Sequence, residues 1–506
     1  MLKRLLRRRM VNTCVVGNWQ RSNMTSADPT DANIARSFQD IPGPSGIYQW
    51  PFIGLRLQLK PFTEFKITRL DQLMMDYKRR YGPICKARMG KRWMVFLFEP
   101  SVIEKAFRTE GRYPQRPSIM ILEHFYKGQA CPSISILQGK EWFEMRRPPQ
   151  MTLKKPKNLS KFIPQLSEVA DDFVEKFRNN HIMEDLPLPC LDFTTEGAGT
   201  LCFGLRLGCL NKTSGNDATT ILKHVRGVFG AIGESMYSLP WFLLYETSSY
   251  RQFVEHIAFL RRMADGHLQR AKHELNNRTT GDEKANLMLD MINTPGMTSE
   301  MISNNLVDLF IAGLDSTAMA ITFLFYQLAR NPDKQEKLFE EIRDHIPPSG
   351  PISEDALLHL PYLKACLKES FRLVFPVSIG SSRVLQKDIQ LLGYHIPKGC
   401  VIAGGNSVIG RDKEYFNDPE MFLPERWLRS GPTHIHAFAQ LPFGFGPRDC
   451  IGKRFAEIEV YICVSKIVRN YKIILPKDVT EVPYIYQMFA IPEKPFSLHL
   501  LPRSTG

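Results

Sequence analysis

No C-x-x-C pair occurs among the ten cysteines, and their spacing follows no regular framework. Both absences argue against a disulfide scaffold and for a reducing compartment. The chain also lacks H-E-x-x-H and P-loop sequences, so two familiar catalytic motifs are missing. It shows no internal repeat, which removes solenoids and propellers. The first 27 residues contain no acid: Lys3, Arg4, Arg7, Arg8, Arg9 and Arg21 precede Asp28. No apolar run of about 20 residues accompanies them, so no spanning anchor is expected there.

What is present is enough for a sizeable core, with 43% hydrophobic and 11% aromatic residues. The acid-free start, rich in arginine and interleaved with leucine and hydroxyl residues, resembles a mitochondrial transit peptide. A leader is therefore expected over residues 1–39, the plainer reading of the same charges being a basic tail for an acidic surface. Net charge is +14, and the six cations before Asp28 leave +8 for the rest. The aromatics follow core spacing instead of alternating with arginines, so nucleic-acid binding is not expected. The proline-glycine stretch "DIPGPSG" (40–46) reads as a hinge opening one folded unit over 40–506. Strand-like pieces appear at "PICKARMG" and "WMVFLF" (83–98), in 383–405 and near the C-terminus, while 100–375 is mostly helical in pattern. Residues 302–332 form one long helix, apolar on most faces, and Asp308 and Asp315 within it favour burial in protein. The fold class expected is mainly α with a small β region.

The stretch "LPFGFGPRDCIGKRFAEIEVY" (441–461) sets a lone cysteine before an amphipathic run. Apolar residues recur at helical spacing from Phe455, so Cys450 sits ahead of a helix N-terminus, where a thiolate is favoured, with Arg448 and Lys453 nearby. A buried structural cysteine is the bland alternative. Phe443, Gly446, Arg448, Cys450 and Gly452 stand at F-x-x-G-x-R-x-C-x-G spacing, which resembles the heme-binding loop of the cytochromes P-450. The resemblance covers about 40–504. It implies the cytochrome P-450 fold with a long central helix crossing the heme, heme b as cofactor, and Cys450 as its thiolate ligand.

Further matches follow from that family. Glu369 and Arg372 would by themselves read as a surface ion pair; with Arg426 in "PERW" they match the family's E-x-x-R and P-E-R-W elements and would brace the heme loop. Trp142 and Arg146 match W-x-x-x-R, and with Arg383 and Arg448 they are expected around the heme propionates. Pro148 and Pro149 directly follow, so the helix carrying Trp142 is expected to be short. In "AGLDST", Gly313 admits a flat ligand or O2, and Asp315 with Ser316 or Thr317 offers an acid and an alcohol for proton delivery. Serine stands where the family usually has threonine.

Lys364 and Lys368 lie one helical turn apart and are expected to stay hydrated, an ordinary solvated face unless a partner docks there. The mitochondrial branch of the family uses paired basic residues here to receive an acidic 2Fe–2S ferredoxin, fed by an NADPH-dependent flavin reductase. Lys453 and Arg454 could extend that patch. The cavity is expected to be lined from 113–125, 237–245, Leu309 to Gly313, 376–380 and 486–490, although "LPWFLL" could equally be core or a membrane-dipping patch. Such a cavity suits a lipophilic sterol. "YPQRPSI", "ETSSYRQF" and "LLGYHIPKG" resemble the arthropod steroid hydroxylases that make moulting hormone, the 22-hydroxylase type. The resemblance thus implies a monooxygenase using O2, peripheral on the matrix side of the mitochondrial inner membrane. The rivals are a heme-thiolate ligand sensor, a peroxide-rearranging member that takes no electrons, and a mitochondrial monooxygenase of xenobiotics or another sterol.

Overall fold

The computed structural model describes residues 35–210, 217–276, 286–431 and 434–503. Most of the expected leader lies outside them, but its last residues already belong to the body. The Arg36 N–H donates to the Gly393 carbonyl at 2.9 Å, and the Phe38 carbonyl accepts from Lys86 Nζ at 2.9 Å. The body therefore begins ahead of the "DIPGPSG" hinge.

The core is organised around the helix Ser299–Arg330, close to the expected 302–332. Thr298 caps it by accepting from the Met301 N–H, and it stops where Pro332 opens the next helix. It is long and apolar enough to cross a membrane by length and composition, yet 67% of its most apolar window is buried in protein. Buried Asn304, Asn305, Thr322 and Gln327 along it are consistent with a core helix. The helix Pro187–Phe203 packs along it, close enough for Thr194 Oγ1 to donate to the Leu314 carbonyl at 3.0 Å. The helix Lys453–Asn470, directly after the cysteine loop, packs on it as well.

The β region is small, as expected. Strands Ile84–Met89 and Arg92–Leu97 pair antiparallel, Val401–Gly404 joins parallel to the second, and Ser382–Val384 closes the sheet. An isolated bridge from Gln115 to Val384 ties the 113–119 loop to the strand that carries Arg383.

One expectation fails. The helix carrying Trp142 runs from Gly139 to Leu153, straight through Pro148 and Pro149. Trp142, Met145, Arg146, Pro149, Thr152 and Leu153 are all buried, at spacings of three and four that make one stripe. Burial of that face outweighs the loss of two backbone donors.

Candidate active site

Cys450 sits in a loop closed by its own backbone: its N–H donates to the Phe443 carbonyl at 2.7 Å. Gly444 and Gly446 have φ of +73° and +71°, a region glycine enters freely. A Cβ on Gly452 would meet nothing within 4 Å, so the chain leaves open room beside the cysteine. Burial pushes the Cys450 thiol up, while the Gly452 N–H, Arg146 and Arg116 pull it back. Arg146 and Arg116 outweigh the expected helpers Arg448 and Lys453. Yet Cys450 keeps exposed surface, and so does Ala312, in the middle of the central helix between buried Ile311 and Leu314. Both residues thus keep accessible surface, one on the cysteine loop and the other on the central helix.

Four guanidinium groups converge beside the loop. Arg146 Nη2 donates to the Asp449 carbonyl at 2.8 Å and pairs with its carboxylate at 3.1 Å. Arg383 Nη2 donates to the Phe445 carbonyl at 2.7 Å. Arg448 donates to Gln138 Oε1 at 3.1 Å and to the Leu137 carbonyl, with its guanidinium 4.2 Å over the Trp142 ring. Arg116 donates to the Arg448 carbonyl. Burial first, then mutual repulsion, lowers Arg448 to about 9 and Arg116 to about 10. Glu110, 2.6 Å from Arg383 Nε, is pushed up to about 7 by burial against the pull of Arg383 and Arg116. Lys154 joins Arg146 on Asp449.

The group implied by the motif fits these residues. Five cations face two carboxylates, and Arg448 Nε is buried with no hydrogen-bond partner among the described residues. A surplus of positive charge beside a cysteine suits heme, whose two propionates would sit among the arginines. Iron would stabilise the thiolate that burial disfavours. Trp142, Arg146, Arg383 and Arg448 were singled out in the sequence; Arg116, Glu110 and Lys154 were not.

Asp315 is pushed up to about 6 by burial, which the Arg226 guanidinium on the helix Asp217–Tyr237 opposes. Ser316 Oγ donates to the Ala312 carbonyl at 2.8 Å, on the open side. Thr317 is buried at 3% exposure. Of the two hydroxyls, Ser316 is therefore the one that keeps accessible area. Gly313 has no atom within 4 Å of a Cβ position.

Glu369 and Arg372 are fully buried instead of forming a surface pair. Arg372 forks onto Glu369 with two bonds of 2.8 Å, and Arg426 Nε and Trp427 Nε1 reach the same carboxylate at 3.0 and 2.8 Å. Arg372 also donates to the carbonyls of Gly410, Pro419 and Met421.

Outside the loop, Lys364, Lys368, Lys453 and Arg454 all act on the Glu457 carboxyl, which burial raises and they lower. Lys368, Lys453 and Arg454 are exposed. Lys364 is not freely hydrated as expected: it is half-buried, and its Nζ donates to the Leu358 carbonyl at 2.9 Å. The 237–245 segment departs from the cavity expectation. Trp241, Leu243, Leu244 and Tyr245 are 46–77% exposed, while Phe242 packs inward.

Residues 44–500 match the family model for cytochrome P450. The chain is 32% identical to "Probable cytochrome P450 49a1" of Drosophila melanogaster, over 94% of this chain and 84% of that one. It is 29% identical to the mitochondrial 25-hydroxyvitamin D-1 alpha hydroxylase of Rattus norvegicus, over 92% and 94%. It is 27% identical to the mitochondrial sterol 26-hydroxylase of Homo sapiens, over 90% and 88%. The chain belongs to the cytochrome P450 family, and with it is a monooxygenase that takes heme through a cysteine thiolate.

Proposed function

We propose that this monooxygenase works in the mitochondrion, receives electrons from an acidic 2Fe–2S ferredoxin fed by an NADPH-dependent flavin reductase, and hydroxylates a lipophilic sterol or steroid. The observation that carries the ferredoxin claim is the basic patch at Lys364, Lys368, Lys453 and Arg454, on the cysteine-loop side of the molecule. The relatives named as mitochondrial sterol and vitamin D hydroxylases support the compartment and the substrate class. The finer reading, a 22-hydroxylase of moulting-hormone synthesis, rests on "YPQRPSI", "ETSSYRQF" and "LLGYHIPKG". Exposed Leu239, Trp241, Leu243 and Leu244 support peripheral contact with the inner membrane from the matrix side. We take 40–506, extended back to Arg36, as one catalytic domain.

Heme, when bound, supplies oxygen activation, one atom of O2 entering a C–H bond and the other leaving as water. In this assignment Cys450 Sγ would ligate the iron. Arg116, Arg146, Arg383 and Arg448 would hold the propionates, with the Arg448 guanidinium over the Trp142 ring. Phe443 closes the loop, and Gly452 leaves room beside the cysteine. Asp315, its carboxyl raised to about 6, holds or releases a proton near neutral pH. Ser316 places a hydroxyl on the same open side, one residue on, to pass it inward. Gly313 leaves the backbone approachable for O2.

The test is turnover with a reconstituted ferredoxin and reductase. With Lys364 and Lys368 both replaced by Glu, ferredoxin-driven turnover should collapse while heme content and activity with a peroxide oxygen donor survive. If both activities fall together, the lysines support the fold and the docking claim fails.

A further inference from the structure

Asp308 lies on the same face of the central helix as Ala312, four residues earlier, and Asp315 and Ser316 continue that face. Ala312 is exposed, and Asp308 keeps accessible area although it sits mid-helix in the core. Its carboxylate is bonded on one side only. Oδ2 accepts from Ser133 Oγ and, at 3.1 Å, from the Ser135 N–H, both on the loop before the Trp142 helix. No hydrogen bond reaches Oδ1 among the described residues. Burial pushes this carboxyl up to about 6, against the pull of the Ser133 and Ser135 bonds and of the Arg261 guanidinium. Ser135 is exposed, and its hydroxyl lies 2.5 Å from that of Ser133.

We propose that Asp308 is a substrate-binding residue: Oδ1 accepts a hydrogen bond from a hydroxyl group on an otherwise apolar substrate, with Ser135 beside it. This deepens the sterol reading and rests on it. An apolar cavity wall does not need a carboxylate, and Asp308 keeps accessible area through which a ligand hydroxyl can donate to Oδ1. Ser133 and Ser135 fix the carboxylate so that its second oxygen is offered in one direction. The site then distinguishes an alcohol, which can donate, from the matching ketone or ether, which cannot.

The substitution Asp308→Asn tests this without emptying the site, since the amide keeps an oxygen for Ser133 and Ser135 and turns an NH2 inward. The probes are cholesterol, its 3-methyl ether and its 3-ketone, and the readout is the Kd from the heme spin-state shift of the holoenzyme. The wild type should bind the alcohol about tenfold tighter than either analogue, the order expected when a bond to a charged acceptor is lost. Asp308→Asn should erase that preference and take the ketone at least as tightly as the alcohol, with its reduced carbon-monoxide band unchanged. If the wild type binds all three alike, or Asn leaves the ranking unaltered, Asp308 does not read the substrate, while the sterol reading stands. If the wild type binds none of the three, the sterol reading itself fails, and the proposal with it.

Discussion

Cys450 is one of nine cysteines in the described residues, and most of the others are inert by burial: Cys190, Cys202 and Cys463 are at 0% exposure. Cys450→Ala should abolish the reduced carbon-monoxide band of the heme-thiolate, while Cys85→Ala and Cys463→Ala leave it in place. A normal band in Cys450→Ala would move the ligand elsewhere. For the alcohol, Ser316→Ala should uncouple oxygen use from product, with hydrogen peroxide released and product formation down by about 10²-fold or more, the usual size for a placed proton donor. Thr317→Ala should stay coupled and lose stability instead, because Thr317 faces the core. Cys450 was legible because it stands in a contiguous motif whose spacing carries its meaning, whereas the central-helix motif left Ser316 and Thr317 both open. Arg116 and Glu110 were not. They acquire a role only when the 113–119 loop is bridged to the strand bearing Arg383, and no local pattern encodes that contact.

At the scale of elements, the Glu369–Arg372–Arg426 cluster joins the helix Pro361–Leu373 to the segment leading into the heme loop. Removing the carboxylate strands two buried guanidinium groups, so Glu369→Ala should cost about 3–5 kcal/mol and yield little heme-loaded protein. Lys368→Ala, one residue away and exposed, should change stability by less than about 0.5 kcal/mol. Glu459, on the helix after the loop, offers a test of pH linkage. It is fully buried, its Oε1 lacks a hydrogen-bond partner among the described residues, and burial raises its carboxyl well above the ordinary range. The folded state therefore keeps a proton that the unfolded state gives up above about 4.3. Stability from this group is present at acid pH and is lost as pH rises towards the folded value. Unfolding free energies of wild type and Glu459→Gln between pH 5 and 8 should shift steadily in favour of the variant, by up to about 1.4 kcal/mol per pH unit. Parallel curves would mean that Glu459 is ionised in the folded protein. The helix types along 100–375 could be read from periodicity. The continuation of the Trp142 helix through Pro148 and Pro149 could not, because a buried stripe on tertiary neighbours decides it and proline propensity does not.

Across the whole molecule, the heme loop and the basic patch lie around the start of the helix Lys453–Asn470, while the residues proposed to face substrate lie on the central helix. Electrons would then enter from the cysteine side and substrate from the other. Ferredoxin-driven turnover of the wild type should fall as salt is added, since exposed charges are screened over about 8 Å at physiological ionic strength, and charge complementarity chiefly speeds encounter. Lys364, half-buried and bonded to the Leu358 carbonyl, should contribute less to that slope than Lys368. The central claim, that this chain inserts one atom of O2 into a sterol with electrons from a ferredoxin, is tested most directly by turnover under isotopically labelled O2. Product mass should show one labelled oxygen atom per molecule formed, with one NADPH consumed for each. Product carrying oxygen from water, or NADPH consumption without any labelled sterol product, would contradict it.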